Sequence, residues 1–590
     1  MDFEKMPEEK LIEKVLKDFL ASESFYKTKH DQFLRYYKMY RSIADSKPDP
    51  RAKNRSNLFI PYTFSLIETV APRITKAIVS NKPFLAVLPN KMESGTKATT
   101  IQTLLQFQLE TKIPFTHVLS GWIKDILIYG TGITRDGWNY RTRNARVREV
   151  LPYINPETGE LEEIPQEVER EVVVNDEPEV QNVDILDFYP EPYAKDIDTA
   201  GYVIHRIKMS REDLKRLVST GYYDKSALTY LKKLDDDDKL SVDEQFGDVR
   251  KQDILGFGKG DENLKLEILE YWTNDHVVAL LNREEIIKNE PNPYYHNQKP
   301  FCVAVDVPVS GEFYGIGEIE NTQDLQLELN TVRNQRIDNL SVVINKMWKV
   351  NRNSDISAND LFVQPNGIIW VDDMDDLQVL EVPDITRQAQ EEASIIQKDM
   401  DVATGVHDYA RGSATDRRET ATTANILTSS ANERFDLKII LLSETGLKRL
   451  GRHLISLNQQ YLESDVEVRV QTDDPTNYEF ETVSLTDILG TVDDYDIIVT
   501  GTAVNSNLSK EARLDKLIAV YNVIKDEPLL NKPAVIREFF DLMGVRDSRR
   551  FLFENAEQTA LMLTLQQFMG QQQQMMGDPQ QPPPQQQGGF

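Results

Sequence analysis

Apolar residues return at intervals of three and four near the start of the chain, where Leu11, Val15, Leu16, Phe19, Leu20, Phe25, Phe33 and Tyr37 predict an amphipathic helix over 7–43. A second helix is predicted over Pro61–Ser80, with Leu66, Ile67, Val70, Ile74, Ala77 and Ile78 on one face and Pro83 ending it. Two more follow at Lys97–Thr111 and Pro114–Tyr129. After Gly130 the period shortens. Alternation over Ile133–Val147, with Asn155–Gly159 (NPETG) as a turn, predicts a hairpin or meander. Strands are expected around Val168–Val174, Val180–Phe188, Gly201–Lys208 and Lys265–Asn274, and a helix at Ser210–Thr220, which opens on a capping serine and two acids.

The stretch Ile316–Met347 contains no proline and a single glycine, Gly317, and as a helix it would be about 48 Å long. Leu325, Leu329, Val332, Leu340, Val343 and Met347 fit helical spacing, while the other faces are crowded with Asn, Gln, Arg and Asp. A short β-like excursion, Leu361–Val382, carries the turn dipeptide Asn366-Gly367 and the strand-like run Ile368–Val371 before Pro383. Next comes a polar helix, Asp384–Thr404, with too few apolar residues for an ordinary core stripe, as expected of a helix packed against identical neighbours. A Gly/Ser/Ala-containing loop at Gly405–Thr415 leads to a long helix, Arg417–Leu462, with bends expected at Gly446 and Gly451. Strands are predicted at Val466–Gln471, Tyr478–Val483 and Tyr495–Thr500, then a helical block at Ser509–Phe568. The Gln/Pro/Gly-rich tail Gly570–Phe590 is too polar to support a core and is predicted to be disordered.

At 590 residues the chain exceeds what one core normally serves, so several structural regions are expected. The 40% hydrophobic and 28% charged residues are those of a globular protein. Against 68 Lys+Arg stand 96 Asp+Glu, a net charge of -28, so any DNA contact must be local or loose. The single cysteine, Cys302, excludes an intramolecular disulfide and a cysteine-rich zinc site, and suits a reducing cytoplasm. No apolar run approaches the roughly 20 residues of a membrane span, and the N-terminal segment lacks the apolar stretch of a signal peptide, so neither membrane insertion nor secretion is expected.

The sequence carries no G-x-x-x-x-G-K-[ST] phosphate loop, no H-E-x-x-H helix and no G-x-S-x-G elbow, which argues against an ATPase that would itself drive DNA. The seven histidines, among them His205, His296, His407 and His453, show no pair at metal-ligand spacing and read as structural. No catalytic residue, metal ligand or cofactor is assigned. Asp235–Asp238 lacks the spaced ligands and central glycine of a calcium loop and reads as a solvated loop. Gly130-Thr131-Gly132 follows a helix instead of opening one, which favours a helix C-cap over a phosphate-binding turn.

Four segments in order resemble the portal family of tailed bacteriophages: NLFIPYTFSLIETVAPRITKAIVSNKPFLAVLP from Asn57, GWIKDILIYGTGITRDGWNY, VDILDFYPEPYAKDIDTAGYVIHRIKMSREDLKRL, and PFCVAVDVPVSGEFYGIGEIENTQDLQLELNTVRNQRIDNL. In the last, Tyr314-Gly315 leads into the first long helix. The resemblance implies an α+β, ring-forming portal-like fold, with N-terminal helices and wing at 1–315, a first stem helix at 316–347, a clip at 348–383 and a second stem helix at 384–404. It further implies a tunnel loop at 405–418, a long wing helix and wing strands at 419–508, a helical crown at 509–569, and the tail at 570–590. It implies no enzyme but a DNA conduit at a capsid vertex of the virion, assembled in the bacterial host cytoplasm as a homo-oligomeric ring, commonly a dodecamer. Its implied partners are double-stranded DNA, the terminase large subunit, major capsid and scaffolding proteins, and neck or tail adaptor proteins. A capsid or tail adaptor without a DNA channel, or a metal-dependent nucleic-acid enzyme, are the alternatives.

Under that reading the acids of the second stem helix, among them Glu391, Glu392 and Asp399, either line the channel and keep DNA sliding or form a solvent-facing outer surface. Arg411, Arg417 and Arg418, with His407 and Tyr409 nearby, either touch phosphates or pair with a neighbour's acidic stem. Lys346, Lys349 and Arg352 at the stem-to-clip junction admit the same two readings.

Overall fold

The computed structural model describes residues 6–44, 55–80, 82–154, 161–237, 251–254, 266–353, 377–406, 433–471, 478–491 and 494–500, with a few isolated positions besides. Two compact units divide the chain: Met1–Ser464 with Leu485–Thr502, and Asp465–Ser484 with Ala503–Phe590. Among the described residues all strand pairs are antiparallel, and helices alternate with these small sheets along the chain, which is an α+β arrangement. Among the described residues, no helix is long and apolar enough to cross a membrane.

In the first unit, helix α1 (Glu8–Tyr40) serves two cores from one stripe. Its first half sends Leu11, Val15 and Phe19 against a five-stranded meander, and its second half sends Phe33 and Tyr36 into the main helical core. The meander comprises β4 (Phe188–Pro190), β5 (Val203–Met209), β6 (Leu266–Trp272), β7 (His276–Leu281) and β8 (Glu285–Pro291). Leu269, Tyr271, Val278 and Leu280 face α1, while Ile268, Ala279 and Leu281 face helices α5 (Arg211–Ser219) and α6 (Ser226–Asp237). With both faces covered, β7 loses the polar alternation of a half-buried strand and becomes the unbroken apolar run Val277–Leu281.

The main core surrounds α4 (Phe115–Tyr129), which buries residues on every side, including Trp122, Ile123 and Leu127. Around it lie α2 (Tyr62–Val79), α3 (Gly95–Phe107) and a late helix that runs through 433–442, a π-turn at Ser443–Leu447, and α9 (Lys448–Tyr461). The π-turn falls where a helix bend was expected. Gly446 lies in it, and a side chain there would meet Trp122 at 2.7 Å. A reciprocal amide pair, Gln108 Nε2 to Asn458 Oδ1 at 2.6 Å and Asn458 Nδ2 to Gln108 Oε1 at 2.9 Å, ties the end of α3 to α9. Beside this core, β2 (Thr131–Ile154) and β3 (Leu161–Val183) form a long hairpin that β9 (Phe301–Val305) joins only along Thr131–Arg135. The strands β1 (Leu85–Pro89) and β14 (Tyr495–Val499) pair across most of the chain length. In the second unit, β12 (Val466–Gln471) pairs with β13 (Tyr478–Val483).

Two long helices complete the first unit: α7 (Glu318–Ile344), about 40 Å long, and α8 (Thr386–Thr404), about 28 Å. Between them, β10 (Met347–Val350) pairs with β11 (Leu377–Leu380).

Several expectations need correction. Asp235–Asp237 are the last residues of α6, not a loop, the chain of apolar contacts through Leu231 carrying the helix that far. Ile368, Trp370 and Val371 lie in no strand; the pairing register of β10 selects Leu377–Leu380 instead. The strands read at Val168–Val174 and Val180–Phe188 are one strand, β3, followed by a 3-10 turn, Ile185–Asp187, capped by Asp184. The turn at 155–159, Asn366-Gly367, the 509–568 block apart from residues 517–518, and the tail lie outside the described residues.

Candidate functional site

The start of α7 is set by main chain packed on main chain. Gly130 closes α4 in the left-handed conformation (φ 82°), its N–H donating to Ile126 O at 2.8 Å, so the turn after α4 is a helix C-cap. A Cβ on Gly130 would lie 2.2 Å from Gly315 O, and one on Gly317 would lie 2.6 Å from Gly130 N. No side chain fits at this crossing. Immediately beside it, Lys438 Nζ contacts the carboxylates of both Asp306 and Glu318, the latter at 2.8 Å, with all three groups nearly or fully buried. Burial pushes the Asp306 carboxyl up to about 6, with Glu318 adding to the push and Lys438 opposing it. Burial also works against the Lys438 charge, yet the two carboxylates hold its pKa above the ordinary lysine value.

Along α7 the polar residues have a local purpose. Gln326, Asn330, Asn334 and Asp338 recur every fourth position on one face, and each bonds the extended backbone that precedes α2. Gln326 Oε1 accepts from Thr63 N (3.1 Å) and its Nε2 donates to Ile60 O (2.9 Å). Asn330 Oδ1 accepts from Ile60 N (2.9 Å), Asn334 Oδ1 from Leu58 N (2.8 Å), and Asp338 Oδ1 from Ser56 N (2.6 Å). Further on, Asn339 donates to Pro383 O (3.0 Å) and accepts from Ile385 N (3.2 Å), which holds the approach to α8. Beyond Asn330 no α7 residue is buried, and Leu340 and Ile344 are exposed.

Helix α8 buries Ile396, Met400 and Thr404 at four-residue spacing, the first two against Leu329 of α7. Its expected channel residues Glu391, Glu392 and Asp399 are all exposed, and Arg387 Nε pairs with Glu391 at 3.1 Å. Glu392 and Asp399 are seven residues apart and share a flank within about 20°, whereas Glu391 lies about 100° away on the face opposite the buried stripe, with Lys398. Exposed Ile395 and Val402 lie among these acids, so the outer surface of α8 is mixed, not uniformly acidic. Lys346, Lys349 and Arg352 are exposed at and beside β10, Lys349 standing opposite Gln378. The structure thus brings the three cations to one end of the helix pair. His407, Tyr409, Arg411, Arg417 and Arg418 lie outside the described residues; the described chain reaches Val406 after Gly405 caps α8.

Sequence spacing gave no hint of a buried cluster formed by Asp136 (β2), His453 (α9), His296 and Cys302 (β9). His453 Nδ1 meets Asp136 Oδ1 at 2.9 Å, His453 Nε2 meets Gln298 Oε1 at 3.1 Å, and the His296 and His453 rings stack at 4.1 Å with 3° between planes. Although burial raises Asp136, His453 more than compensates and holds the carboxyl below its usual range. Burial lowers His296 to about 3, and burial raises the Cys302 thiol. The donor atoms of Asp136, His296 and His453 lie within 4.8 Å of one another. Even so, ring nitrogen lone pairs lie in the ring plane, and an ion about 2.0–2.1 Å from a nitrogen of each stacked ring would sit outside both planes. The cluster therefore fits a buried carboxylate–imidazole hydrogen bond and not a shared metal.

A family model described as Phage SU10 portal protein matches residues 11–588. The match takes in both long helices, the paired strands β10 and β11 and the glycine crossing, and on that extent the chain belongs to the Phage SU10 portal protein family.

Proposed function

We propose that copies of this chain assemble into a ring around an axial channel, at a capsid vertex of the virion, through which double-stranded DNA is packaged and ejected. The family match over 11–588 carries this reading. In it, 316–347 and 384–404 are the stem helices, 348–383 the clip, 405–418 the tunnel loop, 419–508 the long wing helix with wing strands, and 509–569 the crown. The terminase large subunit and later neck or tail adaptors would dock at the clip end, and capsid and scaffolding proteins would meet the wing. The exposed apolar residues Leu340, Ile344, Ile395 and Val402 on α7 and α8 support the neighbour-packed role of this pair, since a monomer gains nothing from exposing them. Lys346, Lys349 and Arg352 stand where the stem meets the clip. The chain itself has no catalytic part in this scheme; an ATPase supplied by the terminase moves the DNA. Electron microscopy of the purified chain tests the proposal: rings with an axial hole are expected, and a monomer or a solid assembly would overturn it.

A further inference from the structure

Among the described residues, no other element covers the outer part of the β2–β3 hairpin in a way that would explain its composition. Past Asp136, whose N–H still donates to Pro300 O at 3.2 Å, the strand β2 pairs among the described residues with β3 on one side and with no strand on the other, and β3 is there an edge strand throughout. None of residues 141–148 or 167–174 is buried apart from partial cover of alternate positions. From 141 to 154 the ribbon runs about 46 Å. Free strand edges of this length invite pairing with another chain, and proteins that avoid it mix or protect the charges along them.

Here the charges are sorted by strand. The β2 arm, 141–154, has four arginines (Arg141, Arg143, Arg146, Arg148) against one glutamate, and the β3 arm, 161–175, has five glutamates against one arginine. Within the hairpin, Arg146 meets Glu169 at 3.1 Å and Arg148 meets Glu167 at 4.0 Å, all four side chains remaining more than 60% exposed. Such exposed pairs contribute little to a hairpin's own stability. On the opposite face Ala145, Val147, Val168 and Val172 are only half-buried.

We propose that this arm docks edge to edge on the same arm of a neighbouring copy, the basic β2 edge of one chain against the acidic β3 edge of the next. Like edges repel, so a two-fold contact of β2 on β2 or β3 on β3 is disfavoured and the head-to-tail contact is selected. Head-to-tail contacts are the kind that close into rings, and in this respect the inference rests on the ring assembly proposed above. Each of Arg146 and Arg148 would then lie between a glutamate of its own hairpin and one of its neighbour, and the small apolar residues would continue across the joint.

The test uses two full-length variants, one with Arg146→Glu and Arg148→Glu, the other with Glu167→Arg and Glu169→Arg. Each alone presents like charges at every joint and should lose ring formation by about tenfold or more in sedimentation and electron microscopy. Mixed in equal amounts, they present opposite charges at every joint and should form rings of alternating composition. A chain carrying all four reversals should assemble as the wild type does. Variants that form rings alone as readily as the wild type would overturn the proposal. Failure of the mixture would also overturn it, because mixing repairs only contacts between chains, as would failure of the fourfold variant. Absence of rings in the wild-type chain would instead overturn the ring reading itself.

Discussion

Replacing Lys438 with methionine removes the cation that pairs with two buried carboxylates, Asp306 and Glu318. Methionine fills similar space, so the effect is electrostatic. Breaking a buried pair by deleting one partner costs about 3–5 kcal/mol, because the remaining charge has neither water nor a counter-ion. The pH dependence provides the sharper check. Asp306 already titrates at about 6 in the folded chain, against 3.8 ordinarily, a gap worth about 3 kcal/mol. A carboxyl raised on folding binds its proton more tightly in the native state. Its penalty is absent below about pH 3.8, grows as pH rises through that window, and is complete above about 6. Loss of Lys438 removes the group that pulls this pKa down, so the variant should be protonated well into neutral pH and lose less stability at pH 5 than at pH 7. Urea unfolding followed by tryptophan fluorescence at the two pH values measures this, and hydrogen exchange in the first turn of α7 localises it. Adding Asp306→Asn should recover at least about 1 kcal/mol at pH 7, the coupling expected of groups in contact. A cost below about 1 kcal/mol at pH 7, or an equal cost at both pH values, would refute the reasoning.

Replacing Gln326 and Asn330 by leucine should leave α7 helical but free the backbone at Ile60 and Thr63, raising amide exchange there about tenfold or more; unchanged exchange would count against the ladder. Gly446→Ala forces a methyl against Trp122 and Ala304 and should cost about 1–3 kcal/mol, with a shift in tryptophan emission. His453→Ala leaves buried Asp136 without its imidazole hydrogen-bond partner and should cost about 1–3 kcal/mol near neutral pH, less at pH values low enough to protonate Asp136. Glu391→Lys with Glu392→Lys should slow DNA packaging if α8 lines the channel, whereas normal packaging by intact rings would place these acids on an outer face.

Long helices were legible from apolar spacing or, for the polar Thr386–Thr404, from its position between Pro383 and Gly405. Glu8–Tyr40, Tyr62–Val79, Phe115–Tyr129, Glu318–Ile344 and Thr386–Thr404 all fall within a few residues of the predicted spans. Strands covered on both faces were legible only in part: β6 fell within the expected Lys265–Asn274, but Val277–Leu281 has no alternation to read, and β1 finds its partner at Tyr495–Val499, far beyond any sequence window. The polarity of α7 was visible but its reason was not, because hydrogen bonds to the backbone of 58–63 leave no mark on that segment's side chains. Asp136, His296 and His453 escaped notice for a related reason, since β2, the approach to β9 and α9 contribute one residue each.

The amide ladder on α7 has an evolutionary consequence. It grips mainly peptide groups of the segment before α2, so the exposed Leu58 can drift to almost any residue that keeps its N–H, whereas Ser56 also gives its hydroxyl to Asn334 Oδ1 at 2.9 Å. Proline alone is barred at Leu58. Gln326, Asn330 and Asn334 have no such latitude, and homologous chains should vary in what is held while staying constant in what holds it.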